Sequence, residues 1–576
     1  VTLPELIELS LGLVFAYPWA LVLLPAPRSP VVLALTTLAL STGGLTLGMM
    51  ALAWVAPGLL NLGVVVGMVV LVLGVGAWWL LEAQVVRGGG AGVGAVIGEA
   101  RRRPVTMAAV LIALAMATLI LFNAGYWPFG DQDAIDTYGR LGKYIYAHQA
   151  LPTGEGLYEA YPLLVPLSYT YAHLIAGGVN EYLARLAPAA LALGAMGAAY
   201  ALGRATGGKG TATAGAAAAL LVALTPTYTR WASAGYADLP AAFFFTMSAL
   251  FAWRLYQSGR ARDAALAGVM AGLAAWTKNG ALVLVASLPA WAAYTHLRPR
   301  LWPGAAGDDG EAHPITARRA ALMLGAMALV VGPWYVRNLA LFGVLIPPTG
   351  WTWLAERTLG NLVPFLTYPN VYFVPGIAFT VGIAASLWGA ARGRAGAALL
   401  VIFAGPLFAV WWALFSYETR FLLLILPLVA AMGGRAAEAG LTWLKWRVPN
   451  RRWVRWAAIL TLAALALPAA RKAVLFKDEI LHNPLMSDGE KHRLQTGPAF
   501  AIGAFLDTLP ASGRALSTVR YVGYYVNTDT EVVFDPPTRQ GFDYWVLAPG
   551  ETVEEPPGEL LTEIEGARVY AVTSDE

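Results

Sequence analysis

The sequence predicts a mainly helical fold: a polytopic transmembrane bundle of about 14 spans, with interfacial helices in the first large outer loop and a small soluble α/β domain at the C-terminus. Three observations carry this. Of the 576 residues, 58% are hydrophobic and only 13% charged, where a soluble globular chain has about 25% charged residues. Apolar runs near the ~20 residues that cross a bilayer recur from the start to about position 470. Beyond that the balance reverses: residues 1–470 hold 30 Lys/Arg and 18 Asp/Glu, a net of +12, and residues 471–576 hold 9 and 17, a net of −8. The basic part also carries 20 of the 21 tryptophans, which suits aromatic belts at two membrane interfaces. A domain boundary is therefore expected near 471. Cysteine is absent, which excludes disulfides and thiolate metal sites.

Three N-terminal spans are expected near 6–24, 31–55 and 59–81, within residues 1–104. Residues 105–470 supply the rest, near 105–123, 182–203, 211–226, 237–256, 262–277, 280–296, 320–341, 371–391, 396–415, 420–439 and 453–470. Alternate loops collect 22 Lys/Arg against 8 on the opposite face (Arg140, Lys143, Arg185, Arg230, Lys278, Arg337, Arg357 and Arg420). Because basic loops stay on the cytoplasmic side, the 8-residue face is expected to be extracytoplasmic. The same reading puts the N-terminus outside, where Glu5 and Glu8 without a nearby cation argue against a cleaved signal peptide. The acidic 471–576 region is also expected outside. Its runs at 512–534 and 542–550 are β-branched and aromatic between turn formers, as in a small α/β domain. No nucleic-acid partner is expected.

The outer loop at about 125–181 opens with FGDQDAIDTYGRLGKYIYAHQ (129–149). Ile135, Tyr138, Leu141 or Gly142, and Ile145 recur at helical spacing, with Asp133, Asp136, Arg140 and Lys143 opposite, so a helix lying flat at the interface is expected. Asp131 is suited to cap it, and capping alone accounts for one or two of the acids. Asp136 falls on the exposed side and reads as a solvated residue. Four other outer boundaries set a charge in apolar sequence: YADLP (236–240), WTKNG (276–280), WYVRN (334–338) and SYETRF (416–421). Singly each has a bland explanation: Lys278 and Arg337 could snorkel, Asp238 could cap a helix, and Glu418 could pair locally with Arg420. Together, five such features on one face point to a site, because ionisable groups near membrane depth are costly. Acids beside cations suit transfer from a phosphate-bearing lipid to a hydroxyl: a carboxylate takes the hydroxyl proton and Lys or Arg holds the departing phosphate.

These segments resemble the GT-C superfamily of polytopic glycosyltransferases, in particular the branch with protein O-mannosyltransferases and the aminoarabinose transferase of lipid A. The resemblance covers about 105–440 and rests on GDQD (130–133), YEAYPLLVPLSY (158–169), YADLPAAFFF (236–245), GLAAWTKNGALVL (272–284), PWYVRNLALFG (333–343) and YETRFLLLILP (417–427), in the family's order. It implies an inverting transfer of a monosaccharide from a polyprenyl-phosphate donor to a protein, lipid or cell-wall glycan hydroxyl on the outer side. By it Asp131 is the catalytic base and Asp133 the second choice. Arg420 and Lys278 match positions near the donor phosphate, with Arg337 after them, and Lys143 stands in for a lysine that this chain lacks beside Glu159. Asp238, Tyr161, Glu159 and Glu418 fall to substrate binding. The three N-terminal spans are an addition to the family core. The paired acids leave room for a divalent metal, but no full ligand set is visible and no cofactor is assigned. Two other readings fit a chain of many spans: a transporter or flippase, and a ligase or polymerase using a pyrophosphate-linked oligosaccharide.

Overall fold

Proline, glycine and charge cut the apolar runs into separate helices. The computed structural model describes residues 1–26, 28–82, 104–153, 160–207, 212–303, 312–346, 352–358, 360, 373–447, 451–510, 513–536, 538, 540–553 and 557–572. Thr2 and Glu5 form a reciprocal cap that starts α1 (Leu3–Val14), followed by α2 (Tyr17–Leu23). Pro30 opens α3 (Pro30–Val55), and α4 (Leu62–Glu82) and α5 (Pro104–Tyr126) follow. A π-helical turn (Asp133–Gly139) then runs into α6 (Arg140–His148), and α7 (Leu164–Ala176) follows it. The bundle continues with α8 (Glu181–Thr206), α9 (Ala212–Ala223), α10 (Pro226–Ala232), α11 (Asp238–Ser258), α12 (Ala261–Thr277), α13 (Leu284–Leu301), α14 (Ala317–Phe342), α15 (Phe373–Ala391), α16 (Ala395–Val410), α17 (Leu426–Arg447) and α18 (Arg451–Ala473).

Among the described residues ten helices are long and apolar enough to cross a membrane, or eleven if the bent pair α9–α10 is one span. Of the 14 expected from the sequence, ten or eleven are matched in this way among the described residues. Pro226 lacks the N–H to continue α9, so α10 leaves at 71°. α12 stops at 17 residues because the chain turns extended at Lys278. The runs expected at 371–391 and 453–470 fall on the helices α15 and α18.

α11 is the central helix, with 94% of its apolar window buried. α12 crosses α14 so closely that a Cβ on Gly268 would lie 2.1 Å from the Met323 carbonyl oxygen, the close approach that small residues allow between membrane helices. The apolar stripe of the first loop is buried as expected, but by protein. Gly142 faces Tyr169 on α7 and its carbonyl accepts the Thr170 hydroxyl at 3.1 Å. α7 is itself buried along nearly its whole length and was not anticipated, because an all-round apolar helix has no period to read.

After α18 come α19 (Lys477–His482), α20 (Asp488–Thr496), α21 (Ala499–Leu506) and α22 (Val522–Tyr525), with strands β1 (Arg514–Ser517), β2 (Glu531–Phe534), β3 (Tyr544–Leu547), β4 (Gly558–Ile564) and β5 (Ala567–Val572). They form one mixed sheet in the order β2-β1-β3-β5-β4, parallel at β2-β1-β3 and antiparallel around β5. This part sits on the same end of the bundle as the first loop: Tyr126 donates to the Pro484 carbonyl at 2.9 Å, and Lys143 donates to the Tyr524 and Val526 carbonyls at 2.7 Å each. The start of α1 lies at that end too, its Glu8 carbonyl accepting the Tyr171 hydroxyl at 2.9 Å.

Candidate active site

At this loop-side end, four segments far apart in sequence deliver charges of alternating sign. Arg420 donates to Asp133 Oδ2 at 2.8 Å, its Nε stands 3.9 Å from Asp238 Oδ2, and Lys278 Nζ donates to Asp238 Oδ1 at 2.5 Å. Side-chain exposure climbs from 1% at Asp238 through 13% at Arg420 to 35% at Asp133, so the row runs from the interior to an open mouth. Asp238 Oδ2 and Arg420 Nε are both buried and have no hydrogen-bond partner. Buried polar atoms are normally satisfied, so this pair leaves bonding capacity for a polar ligand atom.

Local breaks in the helices set each charge. Asp238 is the first residue of α11, where a helix N-terminus favours an anion, and it follows a turn through Gly235 at φ +84°. Lys278 is extended (φ −155°, ψ 134°) between α12 and a 3₁₀ turn (Asn279–Val283), which turns its amine back toward α11. Glu418 is likewise extended, and its carboxylate accepts the Arg420 N–H at 2.9 Å, capping the 3₁₀ turn Thr419–Ile425. Glu418 thus positions Arg420. Aromatic rings wall the cations: Arg420 lies 4.6 Å from the Tyr236 ring and 5.0 Å from Trp231, and Lys278 lies 4.6 Å from Phe421. Such contacts stabilise a cation where water is scarce.

The acidic turn meets this row at its mouth. The Asp133 N–H donates to the Tyr236 hydroxyl at 3.1 Å, and burial together with the acids Asp133 and Asp131 pushes that hydroxyl far above its ordinary value. Asp131 does not cap with its side chain; its carbonyl accepts the Ile135 N–H while its carboxylate turns toward Arg230 at 3.5 Å. Arg230 is exposed and stacks 4.8 Å from Trp231. Asp136 is half-buried rather than solvated, and burial raises its carboxyl in spite of Arg140 and Arg520 nearby.

Of the residues singled out in the sequence, Asp131, Asp133, Asp238, Lys278, Arg420 and Glu418 converge. Arg337 does not join them: it donates to the Pro152 carbonyl and stacks 4.4 Å from Trp334. Its neighbours Trp334 and Asn338 both donate to the Ala160 carbonyl, beside half-buried Tyr161. Lys143 binds carbonyls of α22 and its flank, and burial lowers its amine. Glu159 lies outside the described residues. The sequence reading passed over Arg185, which is 2% exposed and donates to the carbonyls of Trp127, Pro128 and Ser233, pinning the acidic loop to the turn before α11. In sequence its neighbour of opposite charge is Glu181, four residues earlier, whereas its partners here are backbone carbonyls, which leave no sequence signal. Among the described residues no group of three or more His, Asp or Glu side chains is gathered for a metal. Asp131 and Asp133 each face an arginine. From Thr419 an apolar groove extends along Leu422, Leu423, Leu426 and Val429, closed by Thr225 and Phe379.

Residues 160–303 match the sequence pattern of the dolichyl-phosphate-mannose-protein mannosyltransferase family. The structure of ArnT from Cupriavidus metallidurans bound to undecaprenyl phosphate superposes at a TM-score of 0.54 and 15% identity, over 81% of this chain and 98% of that one. A quarter of this chain thus carries that family's pattern, on a fold similar to that of ArnT. The apo form of the same ArnT gives 0.54 and 15%, over 80% and 97%. No curated protein matches in sequence. The family match includes Asp238 and Lys278, so two of the four charges of the row fall within it. The chain is thus a multi-pass membrane protein with a fold similar to that of ArnT.

Proposed function

We propose that the enzyme transfers a monosaccharide from a polyprenyl-phosphate donor to a hydroxyl acceptor, on the extracytoplasmic face and with inversion. The observation that carries this is the buried pair Asp238 Oδ2 and Arg420 Nε, both without hydrogen-bond partners, beside an apolar groove that starts at Thr419. A phosphate oxygen entering there meets Arg420 and Lys278, and the residues that follow Arg420 give the site an apolar flank. The fold likeness to an ArnT bound to undecaprenyl phosphate supports this donor class.

In this reading Asp133 and Asp238 hold Arg420 and Lys278 until the phosphate takes their place. Asp131 is the general base. It is one-third exposed and meets only an exposed arginine at 3.5 Å, whereas Asp133 accepts a 2.8 Å bond from Arg420 and orients that cation. The acceptor oxygen attacks the anomeric carbon, its proton passes to Asp131, and the bond from that carbon to the phosphate oxygen breaks. Arg420 and Lys278 stabilise the growing phosphate charge, so no second carboxylic acid is needed. The orientation rests on the charge bias of the loops. Native mass spectrometry with undecaprenyl phosphate tests the site: Arg420→Met should abolish retention of the lipid, and undiminished retention would refute the assignment.

A further inference from the structure

The junction between the sheet part and the bundle contains a buried ion pair next to the acidic turn. His492 on α20 is 4% exposed, and its Nε2 lies 3.6 Å from Glu181 Oε2 at the start of α8. Its Nδ1 lies 2.9 Å from the Asp488 carbonyl oxygen and 3.4 Å from Asp488 Oδ1. Both ring nitrogens therefore face oxygens, and only an imidazolium donates to both. The ring is stacked 3.9 Å from Phe500 and edged by Tyr525 and Tyr182. Glu181, 6% exposed, accepts the Phe129 N–H at 2.7 Å with that same Oε2. Phe129 is followed by Gly130, where a Cβ would lie 1.7 Å from Gln495 Oε1, so α20 lies directly on the chain leading into Asp131.

We propose that Glu181 and His492 are a positioning pair: docking of the sheet part through His492 holds Glu181 so that it fixes Phe129, and thereby sets Asp131 and Asp133 against Arg230 and Arg420. This rests on reading the acidic turn as the catalytic one. Burial works against the charged ring, but the hydrogen bond and charge of Glu181, with the carbonyl and carboxylate of Asp488, outweigh it and leave His492 above its ordinary value. The other charged or titratable groups around it are Lys491 on its own helix, Tyr182 and Arg185 on α8, and Tyr524 and Tyr525 on α22. A histidine whose value rises on docking stabilises the docked state fully below its free value, and this is lost as pH climbs through the raised one. The acidic turn should thus loosen toward alkaline pH.

Hydrogen–deuterium exchange of full-length protein in lipid nanodiscs, corrected for intrinsic rates and followed over peptides 128–139, reads this directly. His492→Ala should raise exchange there at every pH and lower kcat by about tenfold with little change in donor KM, the scale expected when a group that orients a catalytic one is lost. Glu181→Gln keeps an amide oxygen to accept from Phe129 but removes the charge that faces the ring, so it should retain the low exchange while flattening its alkaline rise. Wild-type exchange in His492→Ala, or an unchanged alkaline rise in Glu181→Gln, would overturn the proposal. Failure of the site reading looks different: full transfer by Asp131→Asn with the exchange pattern intact.

Discussion

A buried aspartate stands beside a cation at each end of α11, on α11 itself at the loop end and on the following helix α12 at the other, and the two are built for different things. At the end away from the loops, Asp263 lies 3.5 Å from Arg254 and accepts the Ser258 hydroxyl at 2.5 Å, all within one tight turn. Ten residues of chain make that contact, and it clips α11 to α12. At the loop end Asp238 is held between Lys278 and Arg420, with Asp133 beyond, so the charges come from residues 133 to 420. A clip needs only local closure. Assembling four separate helix breaks into one alternating row costs far more ordering and desolvation, and the fold retains it where an apolar groove and an open mouth adjoin.

The comparison breaks most decisively at Asp131. Asp131→Asn should lower sugar transfer by about 10³-fold, within the range for loss of a general base, while undecaprenyl phosphate binding and Tm stay near wild type. Lys278→Met should cost about 10²-fold, in donor binding as much as in turnover, since it removes one of the two cations facing the phosphate and leaves Asp238 leaning on Arg420. At the clip the pattern should invert: Asp263→Ala should cost about 1–3 kcal/mol of stability, seen as a lowered Tm, with transfer per folded molecule unchanged. Loss of transfer without loss of stability in Asp263→Ala would erase the distinction between the two ends.

How much of this could be read in the sequence depends on what each residue interacts with. The apolar runs, the acidic tail with its strands and the charged boundaries were legible because they are local patterns. Asp238, Lys278 and Arg420 stood out because each is a charge in an apolar setting, and the row is where they meet. Arg337 looked the same by that criterion and Lys143 was drawn in by the resemblance, yet their partners are backbone carbonyls, which carry no sequence signal. Arg185 was overlooked for the same reason. Among the expected spans, 211–226 bends at Pro226 and 262–277 ends at Lys278, where helix geometry rather than hydropathy decides.

Lys143 gives the smallest expected effect and the finest test of which cations belong to the site. Its amine bridges the carbonyls of Tyr524 and Val526, and its ring contact is Tyr524 at 5.6 Å, so its role is to seat the sheet part on α6. Lys143→Met keeps the apolar stem and leaves two carbonyl oxygens short of a donor, a loss of about 1–3 kcal/mol felt at the junction rather than at the phosphate. Transfer should fall less than about tenfold through loosened placement of the acidic turn, and undecaprenyl phosphate should be retained as by wild type. A drop in lipid retention matching that of Lys278→Met would instead move Lys143 into the phosphate site, and would require the α6 helix to leave α22 when donor binds.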